Sequence, residues 1–245
     1  MPSEIHVHLL PDHFSSKQLR GSIAVMVDVL RASTTILTAL SNGAAGVIPC
    51  LSVNDALALR TADAAVLLGG ERSGVKISDF DLSNSPSDYL RPTVKDRTIG
   101  FTTTNGTRAL LHSVEADQVL IGAFSNVVCL AQYLITCSQP LHVVCAGTNR
   151  EITGEDAVFA GCLIDYILSN DQQQVEIELT DTALMTLGWW RFESAKRLLT
   201  ETLMTTRGGK NLVALSYESD IAVAAELNSC PVLARFEVSS GRITL

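Results

Sequence analysis

The chain has 245 residues, is 47% hydrophobic and carries a formal net charge of -8, with a pI of about 5.1. It can fill a substantial core, its acidic balance argues against broad nucleic-acid binding, and it has no run of 18 apolar residues, so no membrane span is expected. The first residues, Met1 to His8, lack the basic and apolar regions of a secretory signal, so the expected location is the cytoplasm.

Glu4 to Leu10 alternates, with Ile5, Val7 and Leu9 apolar, and reads as a first strand with His6 and His8 on one face. Ile23 to Val27 is an apolar run that reads as a buried strand. Ser33 opens a helix that ends near Asn42-Gly43. Ala45 to Cys50 is a short strand. Ser52 to Thr61 fits a helix capped by Ser52, although a capping box prefers Glu or Gln where Asp55 stands. Ala64 to Leu68 is the next strand. Residues 69–97 form the longest irregular stretch, which in a compact domain points to a functional loop.

Further on, Thr98 to Phe101 and Gln118 to Gly122 read as strands, with a helix start at Ala109 between them and a helix from Asn126 to about Cys137 after them. Leu141 to Ala146 is a strand and is followed by a helix to about Leu168. Thr180 to Met204 is mostly helical, with Trp189 and Trp190 as packing residues. Short helices at Lys210 to Ser216 and Ser219 to Asn228 precede strands at Pro231 to Phe236 and Arg242 to Leu245. Alternating short strands and helices predict a three-layer α/β/α fold on a largely parallel or mixed sheet. One domain, 1–245, is expected, with residues from about 180 to 245 as an extension packed on it. The six cysteines form no C-x-x-C pair and most sit in apolar stretches, so reduced core thiols are expected.

Four segments that follow predicted strands carry polar chemistry: Asp28-x-x-Arg31-x-Ser33-Thr34, Gly69-Gly70-Glu71-Arg72, Thr104-Asn105-Gly106-Thr107-Arg108, and Gly147-Thr148 with Glu155-Asp156. Ligands in open α/β sheets bind at the carboxyl ends of strands, so parallel strands would gather these groups at one edge. Arg31, Arg72 and Arg108 suit bidentate contacts to phosphate, carboxylate or sulfonate oxygens. Ser33, Thr34, Thr104 and Thr107 can add hydroxyls and helix N-terminal N–H donors. Asp28, Glu71 and Asp156 (or Glu155) are hard oxygen ligands of the kind Mg²⁺ takes. A cation would offset the charge of an anionic substrate on an acidic protein.

Common phosphoryl-handling patterns are missing. There is no G-x-x-x-x-G-K-[ST] loop and no G-x-G-x-x-G fingerprint. Asp28-Val29-Leu30 lacks the second acid of a D-x-D phosphatase. Cys145 to Arg150 is one residue short of a cysteine-phosphatase cradle, so Cys145 reads as an inert core thiol.

The segments VDVLRASTTI (27–36), GGERSGVKISDFDLSNSP (69–86), TTNGTRAL (103–110), CAGT (145–148), EDAVFAG (155–161) and SYESDIAVAAELNSCPVL (216–233) together resemble the 2-phosphosulfolactate phosphatase family of coenzyme M biosynthesis. The resemblance spans nearly the whole chain. It implies a Mg²⁺-dependent phosphomonoester hydrolase on a largely family-specific fold, converting 2-phospho-3-sulfolactate and water to 3-sulfolactate and phosphate. Two loop positions depart from the family's usual glycines, Asp79 and Ser83, and Asn149-Arg150-Glu151 follows CAGT where the family has small residues.

The resulting expectation assigns Asp28, Glu71 and Asp156 to the metal, and Arg31, Ser33, Thr34, Arg72, Thr104, Asn105, Thr107 and Arg108 to the anion. Asn84 closes the site from the long loop, and Asp28 and Glu155 are the candidate catalytic groups, Glu155 for proton transfer. The expected partner is a small anionic phosphorylated acid, with neither nucleic acid nor membrane involved. A homo-oligomer is compatible with a compact α/β enzyme of this size. The rival readings are a phosphatase for another small phosphorylated hydroxy acid and a non-catalytic anion-binding protein on the same scaffold.

Overall fold

The computed structural model describes residues 1–170 and 176–245. In chain order its elements are β1 (Glu4–His8), β2 (Ile23–Val27), α1 (Ala32–Ser41), β3 (Gly46–Pro49), α2 (Val53–Ala62), β4 (Leu67–Arg72), β5 (Val75–Lys76), α3 (Arg91–Val94), β6 (Thr98–Thr102), α4 (Gly106–His112) and β7 (Gln118–Gly122). They continue with α5 (Val127–Leu134), β8 (Leu141–Cys145), α6 (Gly154–Ser169), β9 (Glu178–Leu179), α7 (Asp181–Lys196), α8 (Leu199–Thr205), α9 (Arg207–Ala214), α10 (Glu218–Ala224), β10 (Arg235–Glu237) and β11 (Arg242–Thr244).

The strands form one mixed sheet in the order β5-β4-β6-β3-β11-β10-β7-β2-β8-β1-β9. β4, β6 and β3 run parallel to one another, as do β7, β2, β8, β1 and β9. The C-terminal hairpin β10–β11 joins these two runs through three successive antiparallel pairings. An odd number of reversals means that the two parallel runs point in opposite directions. The expected single edge of carboxyl ends is therefore replaced by two opposed ends.

Met26 and Ile121 from one run share a buried cluster with Val47, Ile99 and Phe101 from the other, together with Ile36, Leu37 and Leu110 of α1 and α4, the helices that follow β2 and β6. Alternate residues of β2, with α5, α6 and α7, belong to a second cluster, and α2 packs on β4 and β6. Helices on both faces of a mixed sheet make the predicted α/β/α layering. Each fully buried Leu, Ile or Phe contributes about 1.5–3 kcal/mol, so the cluster shared by the two runs adds to the hydrogen bonds through β10 and β11 that join them.

Several local expectations shift. Gly69 to Arg72 belongs to β4, because Glu71 and Arg72 pair with Lys76 and Val75 of β5 and so extend the strand. The stretch 69–97 holds β5 and α3 instead of being wholly irregular. Asp55 does close a capping box with Ser52, at 2.9 and 3.1 Å, since its shorter carboxylate still reaches the Ser52 amide. Asn126 precedes α5 without capping it; its side chain bridges Ala123, Ile121 and Val232 instead. α9 begins at Arg207, so Gly208-Gly209 lies in its first turn, capped by Thr206. Trp190 packs on the core, whereas Trp189 is partly exposed. All six cysteines are free.

Candidate active site

The strand–helix turn after β2 is built around Asp28. Ser33 Oγ accepts from the Asp28 amide at 2.9 Å, and Asp28 Oδ1 accepts from the Ala32 amide at 3.3 Å. The Asp28 carboxyl is 8% exposed. Burial, with Glu71 and Glu155 nearby, pushes its pKa up to about 7. Gly106, in the first turn of α4, makes this approach possible: a Cβ there would meet Asp28 Oδ2 at 2.7 Å and Ala32 Cβ at 2.7 Å.

Glu71 stands at the end of β4. Its Oε1 accepts from the Thr104 amide at 2.8 Å and its Oε2 from the Gly74 amide at 2.7 Å. One carboxylate thus ties the β4–β5 turn to the loop before α4. Between these groups lies a cleft of about 380 Å³, within the size range of small-ligand sites. Asp28, Arg31, Glu71, Asn84, Thr104 and Asn105 line it, as do Asn149 after β8 and Gly208 and Asn211 of α9.

Asn84 Oδ1 is buried without a hydrogen-bond partner. A buried carbonyl oxygen costs about 1–3 kcal/mol when unpaired, so its position in the cleft calls for a donor or a cation. Asp28, Glu71 and the Asn84 carbonyl are all hard oxygen donors, the kind Mg²⁺ accepts along with waters and substrate phosphate. This set fits such an ion. Among the described residues, no three histidine, cysteine or acidic side chains gather as a metal cage, and Mg²⁺ does not require one.

Asp156 is placed differently from the expectation. It is buried behind β2, accepting from the Val29 amide at 2.9 Å, the Gly147 amide at 3.1 Å and Thr153 Oγ1 at 3.1 Å. It fixes the loops after β2 and β8 and is absent from the cleft lining. Burial, then Glu155 and Asp28, raise its pKa. Glu155 is likewise buried, with a raised pKa caused first by burial, and accepts from the Gly208 amide at 3.4 Å. A Cβ on Gly208 would collide with the Glu155 carboxylate, so glycine permits the contact. Glu155 therefore meets α9 instead of the cleft.

The profile of the family described as 2-phosphosulpholactate phosphatase matches residues 8–238. A protein of Symbiobacterium thermophilum is 37% identical over 232 residues, covering 94% of this chain and 97% of its own length. One from Clostridium perfringens (strain SM101) is 36% identical over 244 residues, covering 98% and 95%. One from Clostridium beijerinckii is 42% identical over 182 residues, covering 74% and 75%. All three are named "Probable 2-phosphosulfolactate phosphatase".

The chain belongs to the 2-phosphosulfolactate phosphatase family. Of the site residues expected from sequence, this member brings Asp28, Arg31, Glu71, Asn84, Thr104 and Asn105 to one cleft and leaves the others outside its lining. Ser33 and Thr34 are buried in the first turn of α1, where Ser33 holds the Asp28 amide and Thr34 Oγ1 donates to the Val29 carbonyl at 2.8 Å. Thr107 pairs with Thr103. Arg72 turns away, donating to the Glu71 carbonyl at 2.7 Å and to Thr102 Oγ1 at 2.9 Å. Arg108 lies beside Asp12 at 3.6 Å.

Asp79 takes the left-handed φ of +65° that a glycine would favour, and Arg60 holds it there by donating to its carbonyl at 2.7 Å and to Asp81 at 3.0 Å. Ser83 donates to Asp88 at 2.6 Å and accepts from the Ser85 amide at 2.9 Å. Both departures from the family's glycines are thus accommodated away from the cleft lining. Cys145 is buried, and burial with Asp156 and Glu155 nearby raises its pKa, which keeps it a thiol. Sequence reasoning missed Asn211 and gave Gly208 no role, because α9 lacks a motif and its place depends on long-range packing. No helix among the described residues is long and apolar enough to cross a membrane.

Proposed function

We propose that this protein hydrolyses 2-phospho-3-sulfolactate to 3-sulfolactate and inorganic phosphate with the help of Mg²⁺. The observation that carries the reading is a family match over residues 8–238 whose cleft joins two carboxylates, Asp28 and Glu71, with the Arg31 guanidinium. Asp28, Glu71 and Asn84 would hold the ion. Mg²⁺ supplies, when bound, charge neutralisation and polarisation of a phosphoryl oxygen.

The chain's own groups then divide the work. Arg31 binds an anionic oxygen of the substrate by charge-assisted hydrogen bonds. Thr104 and Asn105, at the mouth of α4, orient a second anionic group from the opposite wall. Glu71 keeps the two flanking turns closed through its bonds to the Gly74 and Thr104 amides. Asp28 is the carboxyl whose proton affinity sits near neutrality, which suits a group that takes or returns a proton at its Oδ atoms. In the overall reaction a phosphorus–oxygen bond forms to water, the ester phosphorus–oxygen bond breaks, and the leaving alkoxide is protonated.

The test is phosphate release from 2-phospho-3-sulfolactate and from a panel of other phosphorylated hydroxy acids, each with Mg²⁺ and with chelator. Turnover fastest on 2-phospho-3-sulfolactate and lost with chelator is the expected result. A better substrate elsewhere in the panel would overturn the substrate, and chelator-resistant turnover would overturn the metal. Anion binding without any turnover would make the protein a binding scaffold.

A further inference from the structure

Arg31 is 3% exposed, yet it lines the cleft. Three separate segments hold it. Its Nη1 donates to Asp220 Oδ2 at 2.7 Å, from α10. Its Nη2 donates to the Gly74 carbonyl at 2.7 Å, from the β4–β5 turn. Its Cζ lies 4.3 Å from the centre of the Tyr217 ring. The third segment acts through Asp220, whose Oδ1 accepts from Ser85 Oγ at 2.6 Å. Ser85 follows Asn84, whose side chain reaches the cleft.

A buried ion pair is a costly way to gain stability, because both charges must leave water. Apolar side chains would fill the same volume at lower cost. What such a pair does supply is orientation. A guanidinium has five N–H donors in a fixed plane. Fixing two of them and one ring face leaves the rest with a set direction. Asp220 is itself held from both sides, by Ser85 and by Arg31, so it cannot turn.

We propose that Asp220 is a positioning residue for substrate binding: it sets the Arg31 guanidinium in the orientation that grips an anionic oxygen, and through Ser85 it fixes the loop that carries Asn84. The inference rests on the phosphatase reading of the cleft. It also gives the C-terminal helices a function, since α10 supplies the counter-charge without which Arg31 has no fixed pose.

The test compares wild type, Asp220→Asn, Asp220→Glu, Ser85→Ala, Arg31→Gln and the Arg31→Gln/Asp220→Asn double variant. Three quantities are measured: KM and kcat for 2-phospho-3-sulfolactate, and the Kd of inorganic phosphate by calorimetry. Losing a charged hydrogen-bond partner costs on the order of a 10- to 100-fold factor. Asp220→Asn is expected to raise KM and the phosphate Kd by about that much while changing kcat less. Asp220→Glu should recover part of the affinity, because it restores the charge. The double variant should bind phosphate no worse than Arg31→Gln alone, because Asp220 acts through Arg31. Ser85→Ala should shift the same constants in the same direction by about threefold.

Multiplicative effects of the two substitutions, or a KM and Kd in Asp220→Asn within about twofold of wild type, would overturn the role. If Asp220→Asn does not fold, Ser85→Ala decides: unchanged constants overturn the proposal. A wild type that binds phosphate but does not release it from 2-phospho-3-sulfolactate sinks the substrate reading alone. The phosphate Kd then still decides the role of Asp220.

Discussion

Two crowded sets of ionisable side chains lie in this molecule, and they are resolved in opposite ways. At the ends of β2 and β4 and the start of α6 stand Asp28, Glu71, Glu155 and Asp156, all buried. On the strands β1 and β8 stand His6, His8 and His142, stacked with ring centroids 4.4 Å apart for His6–His142 and 5.1 Å for His8–His142. His8 Nε2 and His142 Nδ1 are 2.8 Å apart, and Phe14 covers His8 at 3.7 Å. His8 and His142 solve their crowding by staying neutral: burial and neighbouring imidazoles lower His8 to about 3, and burial with His6 lowers His142 to about 4. The carboxylates cannot stack, and two of them open on a cleft. Strand interiors close their polar groups within the fold, whereas strand ends leave theirs to a ligand.

The largest expected effect breaks the carboxylate set. Asp28→Asn removes a charge while keeping the shape and the Ala32 contact. Phosphate release should fall by at least about a thousandfold, the loss of several kcal/mol of transition-state stabilisation. The urea midpoint should not fall, because a buried carboxyl held near a pKa of 7 is relieved by becoming a neutral amide. Near-normal turnover in this variant would remove Asp28 from the reaction.

The next effect sharpens the contrast between the two sets. A cation that binds only the folded carboxylates stabilises by mass action. Saturating Mg²⁺ should raise the melting temperature by about 2–5 °C at pH 8. At pH 6 the rise should shrink, because protons compete for a carboxyl with a pKa of about 7. Asp28→Asn should abolish the rise at both pH values. An equal rise in that variant would place the ion elsewhere.

The histidine set titrates with the opposite sign. The folded pKa values of His8 and His142 lie below the ordinary 6.5. Below pH 6.5 the unfolded chain takes up protons that the folded chain refuses, so this contribution to stability is complete above pH 6.5 and is lost as pH falls toward 4 and 3. The raised carboxyls act in reverse, gaining stability as pH falls through their folded pKa. The histidine part is therefore read as a difference: urea midpoints of wild type and His142→Gln, at pH 7.5 and pH 5. The gap between the two proteins should narrow at pH 5, and a gap independent of pH would show that the stack stays neutral for another reason.

This division explains what was legible in the sequence. The elements read best where one strand or helix carries its own pattern: Gln118–Gly122 appears with the predicted bounds, and His6 and His8 share a strand face as alternation requires. That Asp28, Glu71 and Thr104 would come to one cleft could be read because each lies at or just after the end of a strand. The opposed runs of the sheet were not legible, since the reversal is made by β10 and β11, which pair with strands about 115 and 200 positions earlier, respectively. Asp156 was misplaced for a similar reason. An acid at a helix mouth reads as a ligand, but the fold turns Asp156 to the Val29 and Gly147 amides and leaves it outside the cleft lining. Asp220 lies in a segment that resembles the family but gave it no role, and only the fold brings it to Arg31.

The smallest expected effect concerns the arginines, which residue type alone treats as equivalent. Arg31 faces the cleft and is clamped, whereas Arg72 donates to the Glu71 carbonyl and Thr102 and lies outside the cleft lining. Arg72→Lys keeps the charge but loses the planar fork that bridges β4 and β6. Its cost should be structural, about 1 kcal/mol of stability read from a urea midpoint. KM should change by less than about threefold, whereas Arg31→Lys, at a clamped site, should raise KM by about tenfold or more. Equal KM shifts in the two variants would mean that Arg72 swings into the cleft when substrate binds. The separation drawn here between cleft groups and groups that tie strands together would then fail at that residue.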